Sequence, residues 1–240
     1  MTNEDAGLPA WERSEGMTRA TKSKKGLAAS RGPSGMLIAA VVVVVLFAGA
    51  VGFGIWYAQR PAADAVAPTG ATALGVTVGN PSAPHTLDVY LDFLCPVCRA
   101  YEQQSGATID GLVAAGTAKV VYHPIAILDR LSSTQYSSRA AAAAGCAANA
   151  GVFPQFVKLL YANQPPENSA GLPGSQLTAL AQQAGAPATI GQCIADGTYK
   201  GWAAGITDAA SKAGVNGTPT VLVDGRSIAL TDDALRAATS

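Results

Sequence analysis

A run of 23 residues without charge, Gly35 to Tyr57, is the longest apolar pattern in the chain. At about 1.5 Å per residue, a helix of this run exceeds the roughly 30 Å hydrocarbon core of a bilayer. Trp56 and Tyr57 close the run as interfacial aromatic residues do. The pattern predicts one transmembrane helix over residues 35–57. A cleaved secretory signal is the alternative, because small-residue motifs such as Ala63-Asp64-Ala65 follow the run.

The charges on either side of the apolar run predict its orientation. The stretch from Met17 to Gly35 contains several basic residues and no acidic residue, whereas Arg60 is a single basic residue after the run. The positive-inside rule then puts the N-terminus in the cytoplasm and the chain beyond Arg60 outside the cell membrane. Residues 1–34, rich in Gly, Ser, Lys and Arg, are predicted to be a disordered cytoplasmic tail. The formal net charge of zero gives no footprint for nucleic acid.

Beyond the run, apolar positions first follow the pattern of strands around one helix. Residues 58–73, rich in Ala, Pro and Thr, predict a linker, and Val76 to Val78 predict an edge strand. Strands over residues 86–94 and 119–125, with a helix from Cys95 to about Ala115 between them, predict a βαβ unit with a right-handed crossover. This unit is the first part of an α/β domain, residues 74–130.

The middle of the exported part is predicted to be helical. Residues 131–213 contain an Ala-rich stretch, apolar positions at helical spacing and further helical stretches separated by Gly and Pro. Residues 220–230 then predict a β-hairpin whose Asp224-Gly225 pair favours a type I′ turn, and a short helix begins near Asp232. Residues 214–240 therefore complete the α/β domain that the helical insertion interrupts.

Two cysteines three positions apart stand where the first strong strand meets its helix. Cys95 falls at the helix N-terminus, where unpaired N–H groups and the helix dipole favour a thiolate. Cys98, one turn further on, is placed to close a disulfide with it. All four cysteines of the chain follow the apolar run, which fits an oxidising compartment. Three pairings are possible, and a Cys95–Cys98 bridge leaves Cys146 and Cys193 for each other.

These segments together resemble the DsbA-like branch of the thioredoxin superfamily. The resemblance spans about residues 73–237 and lies in Gly79-Asn80-Pro81-Ser82-Ala83-Pro84, Asp92-Phe93-Leu94-Cys95-Pro96-Val97-Cys98, the helical insertion and Gly217-Thr218-Pro219-Thr220. It implies a thioredoxin fold interrupted by helices, with Cys95 and Cys98 as the catalytic pair and Pro96 and Val97 as the active-site loop. It also implies a cis-proline at Pro219 that faces the cysteines, with the Thr218 backbone beside Cys95 for a substrate peptide.

The resemblance further implies an extracytoplasmic thiol:disulfide oxidoreductase that works without a cofactor. We expect a dithiol oxidase, in which a substrate thiolate attacks Cys95 and Cys98 leaves. The expected partners are reduced or unfolded exported proteins and a quinone-linked membrane oxidase of the DsbB or vitamin K epoxide reductase (VKOR) type. A monomer is expected, because the linker is too short to be the added N-terminal module through which isomerases of this superfamily dimerise.

Two positions depart from the pattern of the family. DsbA proper has Pro-His between the cysteines, whereas Val97 cannot stabilise a thiolate, so we expect a less acidic Cys95 and a weaker oxidant. The buried acid six positions before the first cysteine is replaced by Val89. Asp92 is a candidate proton acceptor for Cys98, and a solvated residue at the strand end is the alternative.

Other functions stay open at this point. A reductase or isomerase would use the dithiol form of the same fold, and a Cu(I) metallochaperone would bind the metal through the cysteine pair. No metal site is predicted, since His85 and His123 are expected to be structural. A Cys146–Cys193 bridge is expected to be structural and to stabilise the fold by roughly 4 kcal/mol, with a second redox site as the alternative.

Overall fold

The structure is a computed structural model that describes residue 38, residues 41–49, residue 52 and residues 65–240. The chain divides into two units, residues 1–59 and residues 60–240. In the first unit, residues 41–49 are helical and exposed. No helix among the described residues combines the length and apolar character needed to cross a membrane. The predicted tail and most of the predicted transmembrane helix lie outside the described residues.

A six-stranded sheet forms the centre of residues 65–240. In spatial order its strands are β1 (Ala71–Thr72), β2 (Gly75–Val78), β4 (Ala118–Pro124), β3 (His85–Leu91), β5 (Thr220–Val223) and β6 (Arg226–Ser227). β3 runs parallel to β4 and antiparallel to β5. The predicted βαβ unit is therefore present. β2 is not the edge strand that the sequence predicts, because β1 pairs with its outer side.

Seven helices accompany the sheet within the same range of residues. They are α1 (Pro96–Ala114), α2 (Tyr136–Asn149), α3 (Phe153–Ala162), α4 (Gly174–Gln183), α5 (Ile190–Asp196), α6 (Lys200–Lys212) and α7 (Asp232–Ala238). Helix α1 connects β3 to β4, and α2 to α6 lie between β4 and β5. This order of elements is a thioredoxin fold with a helical insertion.

Alternating burial along β3 shows that one face of this strand packs into the core. Leu87, Val89 and Leu91 are buried, while Asp88 and Tyr90 between them are partly exposed. Each buried Leu or Val side chain contributes about 1.5–3 kcal/mol. The burial fixes the register of β3 between β4 and β5, so the turn that follows Leu91 emerges from the middle of the sheet.

Small residues allow α2 to pack closely at the centre of the insertion. Its alanines from Ala140 to Ala148 are buried, and a Cβ added at Gly145 would lie 2.6 Å from the Cβ of Tyr199. Cys146 on α2 forms a disulfide with Cys193 on α5. The bridge joins two helices of the insertion.

The folded domain begins inside the predicted linker of residues 58–73. Ala71 and Thr72 form β1, and Trp202 Nε1 on α6 donates to the Thr72 carbonyl over 2.8 Å. Thr69 N donates to Asn149 Oδ1 at the end of α2 over 3.2 Å. The described residues from Ala65 onward thus belong to the domain. The hydrogen bonds that hold this segment come from residues far along the chain. The local composition contains no sign of them and therefore predicts a linker.

The disulfide gives a direct test of how the insertion is stabilised. Replacing Cys146 and Cys193 by alanine is expected to lower the free energy of unfolding by about 4 kcal/mol, because the bridge closes a separation of 47 residues in the unfolded chain. Urea denaturation measures the change. The comparison is made in a Cys95→Ser/Cys98→Ser background, so that the redox state of the other pair does not contribute. An unchanged unfolding midpoint would contradict the structural role.

Candidate active site

The turn between β3 and α1 carries the cysteine pair. Asp92 Oδ1 accepts a hydrogen bond from Leu94 N over 2.9 Å, and Asp92 O accepts one from Cys95 N over 3.0 Å. The strand predicted over residues 86–94 therefore ends at Leu91. A short acidic side chain offers the backbone an alternative to the strand ladder, and here it produces a turn.

Cys95 occupies the N-cap position of α1, as the sequence predicts. Its Sγ accepts a hydrogen bond from Cys98 N over 3.3 Å, and Pro96 follows at the start of the helix, where its missing N–H costs nothing. Cys95 is only 5% exposed and Cys98 2%, whereas Val97 is 55% exposed. Both cysteines are free thiols.

The surroundings of the two sulfur atoms give them opposite acidities. A hydrogen bond from the Cys98 thiol is the largest influence that lowers the pKa of Cys95, to about 6, and the Thr218 side chain and the backbone of Cys98 and Val97 add to it. Burial raises the pKa of Cys98 far above its ordinary value. At neutral pH the reduced pair is therefore a Cys95 thiolate beside a Cys98 thiol. A thiolate is the nucleophilic form and also the better leaving group.

The Thr218–Pro219 segment lies beside the cysteine pair, and Thr218 makes the contact with it. The Thr218–Pro219 peptide bond is cis, as the resemblance implies. In the thiol form, Cys95 Sγ donates to the Thr218 carbonyl oxygen over 3.3 Å. Thr218 and Pro219 are both partly exposed. The structure thus brings together the predicted cysteines, the loop between them and the Thr218–Pro219 segment.

Asp92 is fully buried beneath the turn. Oδ1 accepts from Ser137 Oγ over 2.6 Å as well as from Leu94 N, and Oδ2 accepts from Leu128 N over 2.9 Å. The alternative of a solvated strand-end residue is wrong, because the insertion covers the carboxylate. Burial raises the pKa of Asp92 to about 6, the three hydrogen bonds oppose that rise, and the charge of Cys95 adds to it.

Residues near the end of α3 also hold the turn, and the sequence alone does not identify them as part of the site. Tyr161 Oη donates to Asp92 O over 3.3 Å. Gln164 Nε2 lies 2.9 Å from Phe93 O and 2.9 Å from Cys95 O. Helical spacing predicts Tyr161 as core only, and Gln164 has no local pattern that would single it out. Its position just before Pro165-Pro166 indicates a helix end and nothing more.

The remaining candidate residues lie in other networks. His85 Nδ1 is 2.8 Å from Asp224 Oδ2, and His123 Nε2 is 2.9 Å from Asp88 Oδ1. Among the residues that the structure describes, no group of three or more His, Cys, Asp or Glu side chains is placed to hold a metal ion. Neither histidine therefore joins the cysteine pair in a shared ligand set.

Comparison with known proteins agrees with this geometry. A family model described as thioredoxin matches residues 72–239. The oxidised DsbA of Mycobacterium tuberculosis is 33% identical, with a TM-score of 0.61, over 69% of this chain and 90% of that one. DsbG of the same organism, in its reduced form, is also 33% identical, with a TM-score of 0.59, over 70% of this chain and 83% of that one. MdbA of Actinomyces oris, at 21% identity and a TM-score of 0.62, supports the fold alone.

A longer protein shares the same region. The serine/threonine-protein kinase PknE of Mycobacterium tuberculosis is 37% identical over 158 residues, which are 61% of this chain and 28% of the kinase. The match thus spans less than a third of that relative. From the family model and the DsbA structure, the chain belongs to the thioredoxin family and is a DsbA-like protein disulfide oxidoreductase.

The acidity of Cys95 can be measured directly. In the reduced protein, the ultraviolet absorbance of the thiolate is expected to appear with a midpoint at about pH 6, while Cys98 stays protonated. Asp92→Asn should move the midpoint to lower pH, because it removes a negative charge that opposes the thiolate. Cys95→Ser should abolish the signal. A midpoint close to the ordinary thiol value of about 8.5 would contradict the assigned electrostatics.

Proposed function

We propose that this protein is a membrane-anchored oxidase that introduces disulfides into exported proteins through Cys95 and Cys98. The observation that carries the proposal is the stabilised Cys95 thiolate, whose pKa is lowered to about 6. Because the thiolate exists only in the reduced protein, its stabilisation favours reduction of the pair. A disulfide that gains stability when it is reduced is an oxidant toward substrate thiols.

The reaction proceeds by two thiol–disulfide exchanges. A substrate thiolate attacks Cys95 Sγ in the oxidised pair, a bond forms between these two sulfur atoms, and the Cys95–Cys98 bond breaks. Cys98 leaves and takes up a proton, because burial disfavours its thiolate. A second substrate thiolate then attacks the substrate sulfur of the mixed disulfide, and Cys95 leaves as a thiolate. The substrate gains one disulfide, and two electrons pass to the protein.

Asp92 serves as the proton acceptor for Cys98 in this scheme. Its pKa of about 6 lets it exchange a proton near neutral pH. When the pair is reoxidised, Cys98 must lose its proton before its sulfur can form the new bond. The Asp92 carboxylate takes that proton. Ser137 and the backbone of Leu94 and Leu128 hold the carboxylate in place.

Substrate is bound beside Cys95 by main chain and by apolar side chains. The Thr218 carbonyl lies 3.3 Å from Cys95 Sγ, so an extended peptide that pairs with this segment brings its cysteine to the sulfur. Pro96 and Val97 are exposed next to it and favour apolar contacts. Backbone pairing and a small apolar surface suit unfolded or reduced chains of varied sequence.

The cellular setting follows from the N-terminal part of the sequence. The apolar run of residues 35–57 anchors the protein as a single-pass membrane protein with its N-terminus in the cytoplasm, and the basic residues before it set this orientation. The Cys146–Cys193 disulfide suits an oxidising compartment and has a structural role. A quinone-linked membrane oxidase of the DsbB or VKOR type then restores the Cys95–Cys98 disulfide in the monomeric protein. No nucleic acid takes part.

A refolding assay tests the direction of electron flow. The oxidised protein, mixed in stoichiometric amount with a reduced and unfolded test protein, is expected to introduce its disulfides and restore its activity. Cys95→Ser and Cys98→Ser should each reduce the yield to the level of spontaneous oxidation, because neither variant can form the Cys95–Cys98 disulfide that accepts the electrons. Activity found only for the dithiol form would favour a reductase or isomerase. Tight stoichiometric Cu(I) binding without dithiol oxidation would favour a metallochaperone.

The residue between the cysteines tunes the strength of the oxidant. Val97→His is expected to lower the pKa of Cys95 by about one unit or more, because an imidazolium at this exposed position attracts the thiolate. The equilibrium constant for reduction of the Cys95–Cys98 disulfide by glutathione should rise about tenfold. Val97→Asn is the matched control, since it adds polarity without charge. A Val97→His variant with the wild-type equilibrium would refute this role of position 97.

A further inference from the structure

One side chain of the insertion contacts two carbonyl groups of the cysteine turn. Gln164 Nε2 lies 2.9 Å from Phe93 O and 2.9 Å from Cys95 O. An amide NH₂ group has two hydrogen atoms, so it donates one to each carbonyl. The orientation of the amide is defined by chemistry, because both partners are acceptors and the amide oxygen could satisfy neither. Gln164 thus bridges two carbonyl groups of the turn that carries Cys95.

The contact fixes the backbone that carries the Cys95 sulfur. Cys95 O also accepts the first hydrogen bond of α1, from Arg99 N over 3.2 Å, so this carbonyl is held by two donors. The sulfur itself makes longer contacts, each 3.3 Å: it accepts from Cys98 N in either protonation state, and as a thiol it donates to Thr218 O. Hydrogen bonds weaken steeply with misalignment, and a small rotation of Cys95 would weaken the contact from Cys98 N that stabilises the thiolate.

The contact also changes the field at the sulfur. Without Gln164, the Phe93 and Cys95 carbonyl oxygens would each lose a donor, and their negative ends would be less offset within a turn that holds a negative sulfur. The Gln164 amide offsets both dipoles without adding a charge. Oriented donors of this kind act strongly where water is excluded, and Cys95 is 5% exposed.

We propose that Gln164 is a positioning residue through which the helical insertion sets the acidity and the reduction potential of Cys95. The inference rests on the proposed role of Cys95 as the nucleophile. Gln164 does not touch the sulfur, and it acts through the carbonyls of Phe93 and Cys95.

Ending α3 does not require the Gln164 side chain. Its neighbour Asn163 donates from Nδ2 to Leu159 O over 2.9 Å and so satisfies a carbonyl within the last turn of the helix. Gln164 instead reaches partners 69 and 71 positions earlier in the chain. Asn163 therefore makes a local helix contact, whereas the adjacent Gln164 contacts the site.

The experiment compares Gln164→Ala and Gln164→Glu with the control Asn163→Ala in the full chain. Gln164→Glu keeps the shape of the side chain, removes both donors and adds a negative charge beside the carbonyls. The measurements are thiolate absorbance against pH, the equilibrium with glutathione, and thermal unfolding. For Gln164→Ala we expect the pH midpoint of thiolate formation to rise. The equilibrium constant for reduction of the Cys95–Cys98 disulfide by glutathione should fall about tenfold, so the protein becomes a weaker oxidant. Gln164→Glu should shift both quantities further, and Asn163→Ala should shift neither.

The outcomes separate this inference from the proposed function. Folded Gln164 variants with the wild-type thiolate midpoint and glutathione equilibrium would overturn the inference, even if their thermal stability fell. Loss of stability alone would indicate a structural contact. If Cys95→Ser retained dithiol oxidase activity, the proposed function itself would fail. Should Gln164→Ala not fold, Gln164→Glu provides the same two measurements with the side-chain volume unchanged.

Discussion

A sulfur anion with little access to water is the constraint around which the site is organised. Cys95 is 5% exposed, so solvent cannot supply the hydrogen bonds that its thiolate needs. The protein supplies them from Cys98 and the Thr218 side chain, and these two residues meet only when the start of α1 and the segment before β5 lie side by side. Because β3 lies between β4 and β5, the turn after it is held next to the Thr218–Pro219 segment. The sheet order therefore determines the chemistry of the sulfur.

The thioredoxin core provides the reacting groups, and the insertion supports them. Ser137 at the start of α2 and the backbone of Leu128 before it bind the Asp92 carboxylate. Tyr161 and Gln164 bind carbonyls of the same turn from the end of α3. A turn buried at the meeting of a sheet and several helices needs partners for its backbone groups, and water is excluded there. The insertion, together with the Leu128 backbone just before it, supplies those partners, so fold and redox site are parts of one hydrogen-bond network.

Local patterns were enough to predict the elements that depend on neighbouring residues. The βαβ unit follows from alternation and helical spacing, and the hairpin follows from Asp224-Gly225, whose φ angles of 48° and 77° are those of a type I′ turn. The sequence could not predict features made by distant side chains. The hydrogen bond from Trp202 to Thr72 crosses 130 positions, and those from Gln164 cross 69 and 71. Neither leaves a periodic or compositional signal at the residues it joins.

The position of the buried acid shows how a structural and a chemical role can share one group. At position 89 the side chain points from β3 into the apolar core, and valine occupies that site. At position 92 the carboxylate lies in the turn, where three donors favour its charged form while burial disfavours it. The opposed effects leave its pKa at about 6, within reach of a proton exchange at neutral pH. Protonation of Asp92 would weaken the contacts from Leu94, Ser137 and Leu128, so the protonation state of this carboxyl group also affects how firmly the turn that carries Cys95 is held.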